Sequence, residues 1–140
     1  MNKVYCATKG IIFKNGKILA IKQRYGGKEF LDLPGGRVEH GLSPEENIIK
    51  EIKEEVDLDV KVQKLVGVYH FFRLDGDEIV CITYLCTPLS EKIDLNKNPD
   101  KEENIFEYYW VTPKEFLSLE SYYYKGLEDL KELIRKYFEV

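Results

Sequence analysis

Three glutamates stand close together at Glu51, Glu54 and Glu55, in the stretch IIKEIKEEV. On a helix, residues three and four apart share a face, and like charges there destabilise by about 0.2–0.5 kcal/mol per pair. A hard divalent cation, which takes oxygen ligands, would remove that repulsion if the carboxylates caged it. The adjacent glycines Gly35 and Gly36 lie upstream. Only glycine readily lets backbone carbonyls approach such a stripe closely. The plain alternative is a solvated helix face whose glutamates pair with Lys50 and Lys53.

Several elements must position these residues. Ser43-Pro44-Glu45-Glu46 is a capping box with proline at the first helical position, so a helix is expected from Pro44 to Val56. Ile48, Ile49, Ile52 and Val56 would form its core face. Upstream, GIIFKNGKILAIKQ places Asn15-Gly16 between two apolar runs, which signals a tight hairpin. A short strand through Phe30 and Leu31 then ends at Pro34-Gly35-Gly36, read as a turn or loop. Downstream lies a second hairpin: an apolar stretch from Val60 to Phe72, a turn at Asp75-Gly76, and a strand from Glu78 to Thr87. LSEKIDLNKNPDKEEN reads as a mobile polar loop. A strand from Ile105 to Val111 follows, and Thr112-Pro113-Lys114-Glu115 caps a short helix. A terminal helix from Tyr124 to Phe138 carries Leu127, Leu130, Leu133, Ile134 and Phe138 on one side. The order β-β-β-α-β-β-β-α-α predicts mixed strands with helices packed on them.

Composition narrows the class. The 140 residues, 44% apolar and 33% charged with ten tyrosines and seven phenylalanines, suit one folded domain over residues 1–140. A net charge of −4 gives no footprint for duplex nucleic acid. No apolar run nears the ~20 residues that span a bilayer, and MNKVYCATKG lacks a signal-peptide core, so a soluble cytoplasmic protein away from membranes is expected. Cys6, Cys81 and Cys86 form no CxxC pair and read as buried free thiols. His40 and His70 have no neighbour at zinc-ligand spacing.

The stretch from Gly36 to Leu58 resembles the signature box of the Nudix hydrolases, the MutT-like family. That pattern is Gly, five residues, Glu, seven residues, then Arg-Glu-apolar-x-Glu-Glu-x-Gly-apolar. Gly36, Glu51, Ile52, Glu54, Glu55 and Leu58 are in register, six of nine specified positions. ILAIKQRYGGKEFLDLPGG upstream and FEYYWVTPKEF downstream resemble the family's flanking strand, LPGG loop and late Glu-x-x-Trp strand. The resemblance implies a Nudix-type α/β/α sandwich (α+β) with a mixed central sheet. It implies a metal-dependent pyrophosphohydrolase that cleaves the pyrophosphate bond of a nucleoside diphosphate linked to another moiety. Nucleoside triphosphates, oxidised nucleotides and nucleotide sugars are the substrates it suggests. Divalent ions held at the stripe would bridge the pyrophosphate and activate a water.

By the same resemblance, Glu51 serves as metal ligand or base, and Glu54 and Glu55 hold Mg²⁺ or Mn²⁺. The Gly35 carbonyl adds a ligand, Gly36 lies at the substrate, and Arg24 contacts its phosphate. A further metal-binding carboxylate is Glu103 or Glu107; the sequence does not choose. Three positions depart from the pattern: Leu42 for glutamate, Lys50 for arginine, and Asp57 for glycine. The first two remove an ion pair that ties loop to helix in the family, so the departures bear on the loop more than on the metal ligands. Asp57 falls where the backbone is expected to be left-handed, so Asp57→Gly should stabilise. Aromatics at Tyr69 to Phe72 and Tyr122 to Tyr124 are either core or a stacking surface for a base. The proline that marks ADP-ribose hydrolases and the tyrosine that marks dinucleoside polyphosphate hydrolases are absent from their expected places. A Nudix-fold regulatory or nucleotide-binding module with reduced catalysis is the alternative, and a homodimer is left open.

Overall fold

The computed structural model describes residues 1–25, 27–100, 104–120 and 126–140. Seven strands and three α-helices follow one another as β1 (Val4–Lys14), β2 (Lys17–Tyr25), β3 (Lys28–Asp32), β4 (Gly35–Arg37), α1 (Pro44–Val56), β5 (Val60–Phe72), β6 (Glu78–Pro88), β7 (Asn104–Val111), α2 (Pro113–Leu117) and α3 (Leu127–Phe138). A 3₁₀ turn, Leu95–Lys97, precedes β7.

Strand β1 organises the sheet. It runs parallel to β6 from Val4↔Glu78 to Ile12↔Cys86, and β5 covers the far side of β6. On its other side β1 pairs with β4 near its middle and with β2 at its end. Strand β2 in turn carries β3 and β7, both antiparallel. The β1–β2 turn is Asn15-Gly16 with φ of 52° and 75°, the positive pair that a two-residue hairpin demands.

Alternation along the strands builds two cores. Ile11, Ile18 and Ala20 face a layer containing Phe116, Leu127, Leu130 and Ile134 from α2 and α3. Ile12, Leu19 and Ile21 face the other way, onto Ile48, Ile52 and Val56 of α1. Helices therefore sandwich a mixed sheet. Among the described residues no helix is long and apolar enough to cross a membrane.

Four expectations need correction. Pro34-Gly35-Gly36 is not only a loop: Gly35 and Gly36 open β4, because pairing with Lys9 and Thr8 satisfies their backbone. Ile49 is 40% exposed, since α1 meets the sheet along the 48–52–56 row alone. Cys6 is exposed, while Cys81 and Cys86 are buried; burial pushes the Cys86 thiol up to about 12. The polar stretch after β6 is anchored where it is described. Asp94 N–H donates to the Val56 carbonyl, and Ile93 and Leu95 pack on the α1 core.

The C-terminus of α1 follows the departure from glycine. Asp57 caps it with φ 61° and ψ 30°, a left-handed conformation, and its N–H reaches the Lys53 carbonyl. Its carboxylate also meets Lys53 and Lys97, each at 3.2 Å. The Lys97 and Lys53 ammonium groups hold the carboxyl below its ordinary range. Glycine would relieve backbone strain but lose these exposed pairs, which contribute little. Urea unfolding of Asp57→Gly should therefore give a midpoint at or above wild type. Asp57→Ala, which loses both advantages, should fall below both.

Candidate functional site

Helix α1 buries two rows of residues four apart. Ile48, Ile52 and Val56 form the apolar row, each fully buried. Burial of one such side chain contributes about 1.5–3 kcal/mol, far more than the few tenths lost to a like-charge pair. Core packing thus fixes the helix orientation and carries the second row with it. That row is Asn47, Glu51 and Glu55, exposed by 0%, 8% and 2%.

The second row lies against β4. Gly35 N–H donates to Glu55 Oε1 at 2.8 Å in a buried hydrogen bond. A Cβ on Gly36 would stand 2.7 Å from Glu51 Oε2 and 2.9 Å from its Cδ. Any side chain at residue 36 would fill the space that the Glu51 carboxylate occupies. At Gly35 a Cβ would collide with the Thr8 carbonyl. Both glycines are required by close approach, one to the helix carboxylate and one to β1.

Asn47 fastens this arrangement. Its Nδ2 donates to Thr8 Oγ1 at 3.0 Å and to the Gly36 carbonyl at 3.3 Å, while Oδ1 accepts from Glu39 N–H at 3.0 Å. One buried amide joins β1, β4, the following loop and α1. Lys50 adds a second tie, donating to both carboxylate oxygens of Glu39 at 2.8 and 2.9 Å. The loop is therefore joined to the helix despite Leu42 and Lys50, through Glu39 in place of residue 42. Lys50 also pairs with Glu54 at 2.7 Å. Contacts to Glu39 and then Glu54 hold its ammonium well above the usual lysine range.

The remaining expected residues are spread more widely. Glu54 is half-buried beside Lys50, and Glu107 is exposed on β7, accepting a bond from the Tyr109 hydroxyl. Glu103 and Tyr122 to Tyr124 lie outside the described residues. Arg24 pairs with Glu29 at 2.8 Å and stacks over Phe106, so its guanidinium is engaged at the β2–β3 edge. Tyr69 is buried and stacks on Phe71. As the side chains stand, no three His, Cys, Asp or Glu residues among those described are gathered closely enough to hold a metal ion. The donor set nevertheless suits a hard cation: two carboxylates one turn apart, largely shielded from water, over a strand whose glycine leaves room for them.

Across β4 from Glu51 opens a cleft of about 470 Å³, with Phe30, Phe71, Lys9, Asp32, Arg37 and Arg73 among its lining. Lys9 Nζ lies 2.5 Å from Asp32 Oδ2 at its buried side, and Asp32 Oδ1 accepts from Leu33 N–H. Burial pushes the Asp32 carboxyl up despite the opposing pull of Lys9. Sequence reasoning missed Asn47, Glu39, Arg37 and the Lys9–Asp32 pair. For Asn47 a signal was present: it stands four residues before Glu51, as Glu51 does before Glu55. For the Lys9–Asp32 pair there was none, because 23 residues separate its partners.

Comparison with known proteins agrees with this architecture. The family model for the NUDIX domain matches residues 6–134. An ADP-ribose pyrophosphatase of Methanocaldococcus jannaschii is 50% identical over 64 residues, which are 45% of this chain and 38% of that protein. A MutT-like protein of Streptomyces ambofaciens is 32% identical over 78 residues, 56% of this chain and 47% of that protein. The matched stretches thus span less than half the length of these relatives. A NUDIX hydrolase structure from Nitrosomonas europaea superposes with a TM-score of 0.82 at 21% identity, covering 98% of this chain and 90% of that one. With a family model covering nearly the whole chain and the same fold in solved members, the chain belongs to the Nudix hydrolase family.

Proposed function

We propose that this protein hydrolyses the pyrophosphate bond of a nucleoside diphosphate linked to another moiety. The observation that carries the reading is the pair Glu51 and Glu55, buried one turn apart against the glycine strand β4. Nudix hydrolases generally use divalent metal ions. Here Glu51, Glu54, Glu55 and the Gly35 carbonyl would hold Mg²⁺ or Mn²⁺, with Glu107 or Glu103 as a further carboxylate. Such an ion would neutralise the diphosphate and lower the pKa of a nearby water. Glu51, shielded by its burial and held over Gly36, would serve either as one of these ligands or as the base that takes a proton from an attacking water. Glu54 would leave Lys50 to join the ligand set, while Glu39 retains Lys50 and so keeps the loop tied. Nucleoside triphosphates, oxidised nucleotides and nucleotide sugars remain the substrate classes. ADP-ribose joins them through the Methanocaldococcus jannaschii relative, although the family's marking proline is missing.

One observation favours a second reading. The pairing of Glu54 with Lys50, and the lack of a gathered three-carboxylate cluster among the described residues, would suit a nucleotide-binding module with reduced catalysis. Metal binding is tested first by thermal melts in EDTA against saturating Mg²⁺ or Mn²⁺. A ligand at 100 times its dissociation constant should stabilise by about 2.7 kcal/mol. Identical midpoints would leave Glu51, Glu54 and Glu55 without a metal role.

A further inference from the structure

The register of β4 separates two surfaces that its chain alone does not distinguish. Gly36 pairs with Thr8, whose hydroxyl meets Asn47 of α1, so this position faces the carboxylate row. Arg37 pairs with Ala7, which belongs to the core under α2 and α3, so its side chain leaves on the opposite face, into the cleft. Among the described residues strand β4 pairs with β1 alone, and its other edge carries no strand. A diphosphate lying across that edge would meet Glu51 on one side and Arg37 on the other.

The charges in the cleft single out Arg37. Lys9 is matched by Asp32, Arg73 by Asp75 at 3.0 Å, and Lys28, also in the lining, is engaged by a partner of its own. Arg37 is exposed and has no carboxylate at ion-pair distance among the described residues. Its guanidinium lies 3.9 Å from the centre of the Tyr5 ring, which holds the planar fork in place without neutralising it. Phe30 and Phe71 supply apolar wall beside it. An oriented, unmatched guanidinium next to apolar surface suits a phosphate carried on an apolar or aromatic group, because a guanidinium binds phosphate through two parallel hydrogen bonds.

We infer that the substrate straddles the free edge of β4, with Arg37 binding the phosphate of the half that enters the cleft and so setting which half is held and which leaves. The inference rests on the proposed hydrolysis for its orientation, but the phosphate subsite itself does not. Arg37 is a binding residue, so its loss should appear in affinity rather than in the chemical step.

The test uses AMP as the probe. Its binding to wild type, Arg37→Ala and Arg37→Lys is measured by calorimetry in EDTA. The same variants are assayed with Mg²⁺ on whichever substrate the wild type cleaves. The expected result is AMP binding weakened roughly tenfold or more in Arg37→Ala, with KM raised to a similar extent, kcat within about threefold, and partial recovery in Arg37→Lys. AMP that binds wild type and Arg37→Ala equally, or binds neither, would overturn the inference, as would a loss confined to kcat. If wild type cleaves nothing while AMP binding still depends on Arg37, the catalytic reading fails and the subsite stands. If cleavage proceeds and Arg37→Ala is indistinguishable from wild type, only the subsite fails.

Discussion

Glu55→Gln and Glu54→Gln are each expected to lower turnover by about 10²–10³, the usual loss when one preorganised electrostatic contact to a transition state is removed. The two substitutions separate charge from shape. A glutamine at residue 55 keeps a carbonyl oxygen to accept the Gly35 N–H now bonded at 2.8 Å, so β4 should stay in place. What disappears is the anion. Glutamine at residue 54 releases Lys50 from one partner while Glu39 still holds it, so the loop should stay tied as well. Both variants should unfold near the wild-type midpoint in EDTA and lose the metal-dependent gain. Full activity in either would remove that residue from the ligand set.

The second large effect concerns stability. Asp32→Ala strands the Lys9 ammonium, whose side chain is only 12% exposed, beside the vacated position. Removing one member of a buried pair costs about 3–5 kcal/mol, because the remaining charge keeps its desolvation penalty and loses its partner. The upward push on the Asp32 carboxyl shows burial outweighing the attraction of Lys9. Folding therefore favours the protonated form relative to the unfolded chain. The contribution of this group to stability is present below its unfolded pKa and declines as pH rises through the raised folded value. A pair of this kind should be replaceable as a unit: Lys9→Met with Asp32→Leu is expected to recover most of the loss. Urea midpoints for the single and double variants check this, and a double variant no more stable than Asp32→Ala would contradict it.

The residues that the sequence exposed most clearly are those whose physics is local. Ser43, Pro44 and Glu46 define the start of α1, and the observed helix spans Pro44–Val56 as its capping pattern predicts. Asn15-Gly16 defines a hairpin because two positive φ values suit that pair. Glu51 and Glu55 could be placed beside Gly36 because four-residue spacing fixes a helix face and the paired glycines mark a close approach. What stayed hidden depends on distant segments. Whether Gly35-Gly36 is a loop or a strand is decided by β1, through Lys9 and Thr8, which pair with Gly35 and Gly36 from far earlier in the chain. The partner of Lys50 is Glu39 because of how the loop folds back, not because of any helical spacing. Arg24 resembles a phosphate-contacting arginine of the family, and the sequence could not show that β3 brings Glu29 opposite it as a cross-strand partner. Arg37 lay beside Gly36 throughout, but its facing could be assigned only once the β1 register was known.

The central claim is that Glu51, Glu54 and Glu55 act with a divalent ion to split a pyrophosphate bond. Its most direct test is a hydrolysis screen of the wild-type chain with Mg²⁺ and with EDTA, across nucleoside triphosphates, oxidised nucleotides, nucleotide sugars, ADP-ribose and dinucleoside polyphosphates. The account predicts phosphate or nucleotide products from at least one class, formed with Mg²⁺, abolished by EDTA, and reduced about 10²–10³ in Glu55→Gln. Nucleotide binding without cleavage of any class would contradict it and leave the binding-module reading in its place.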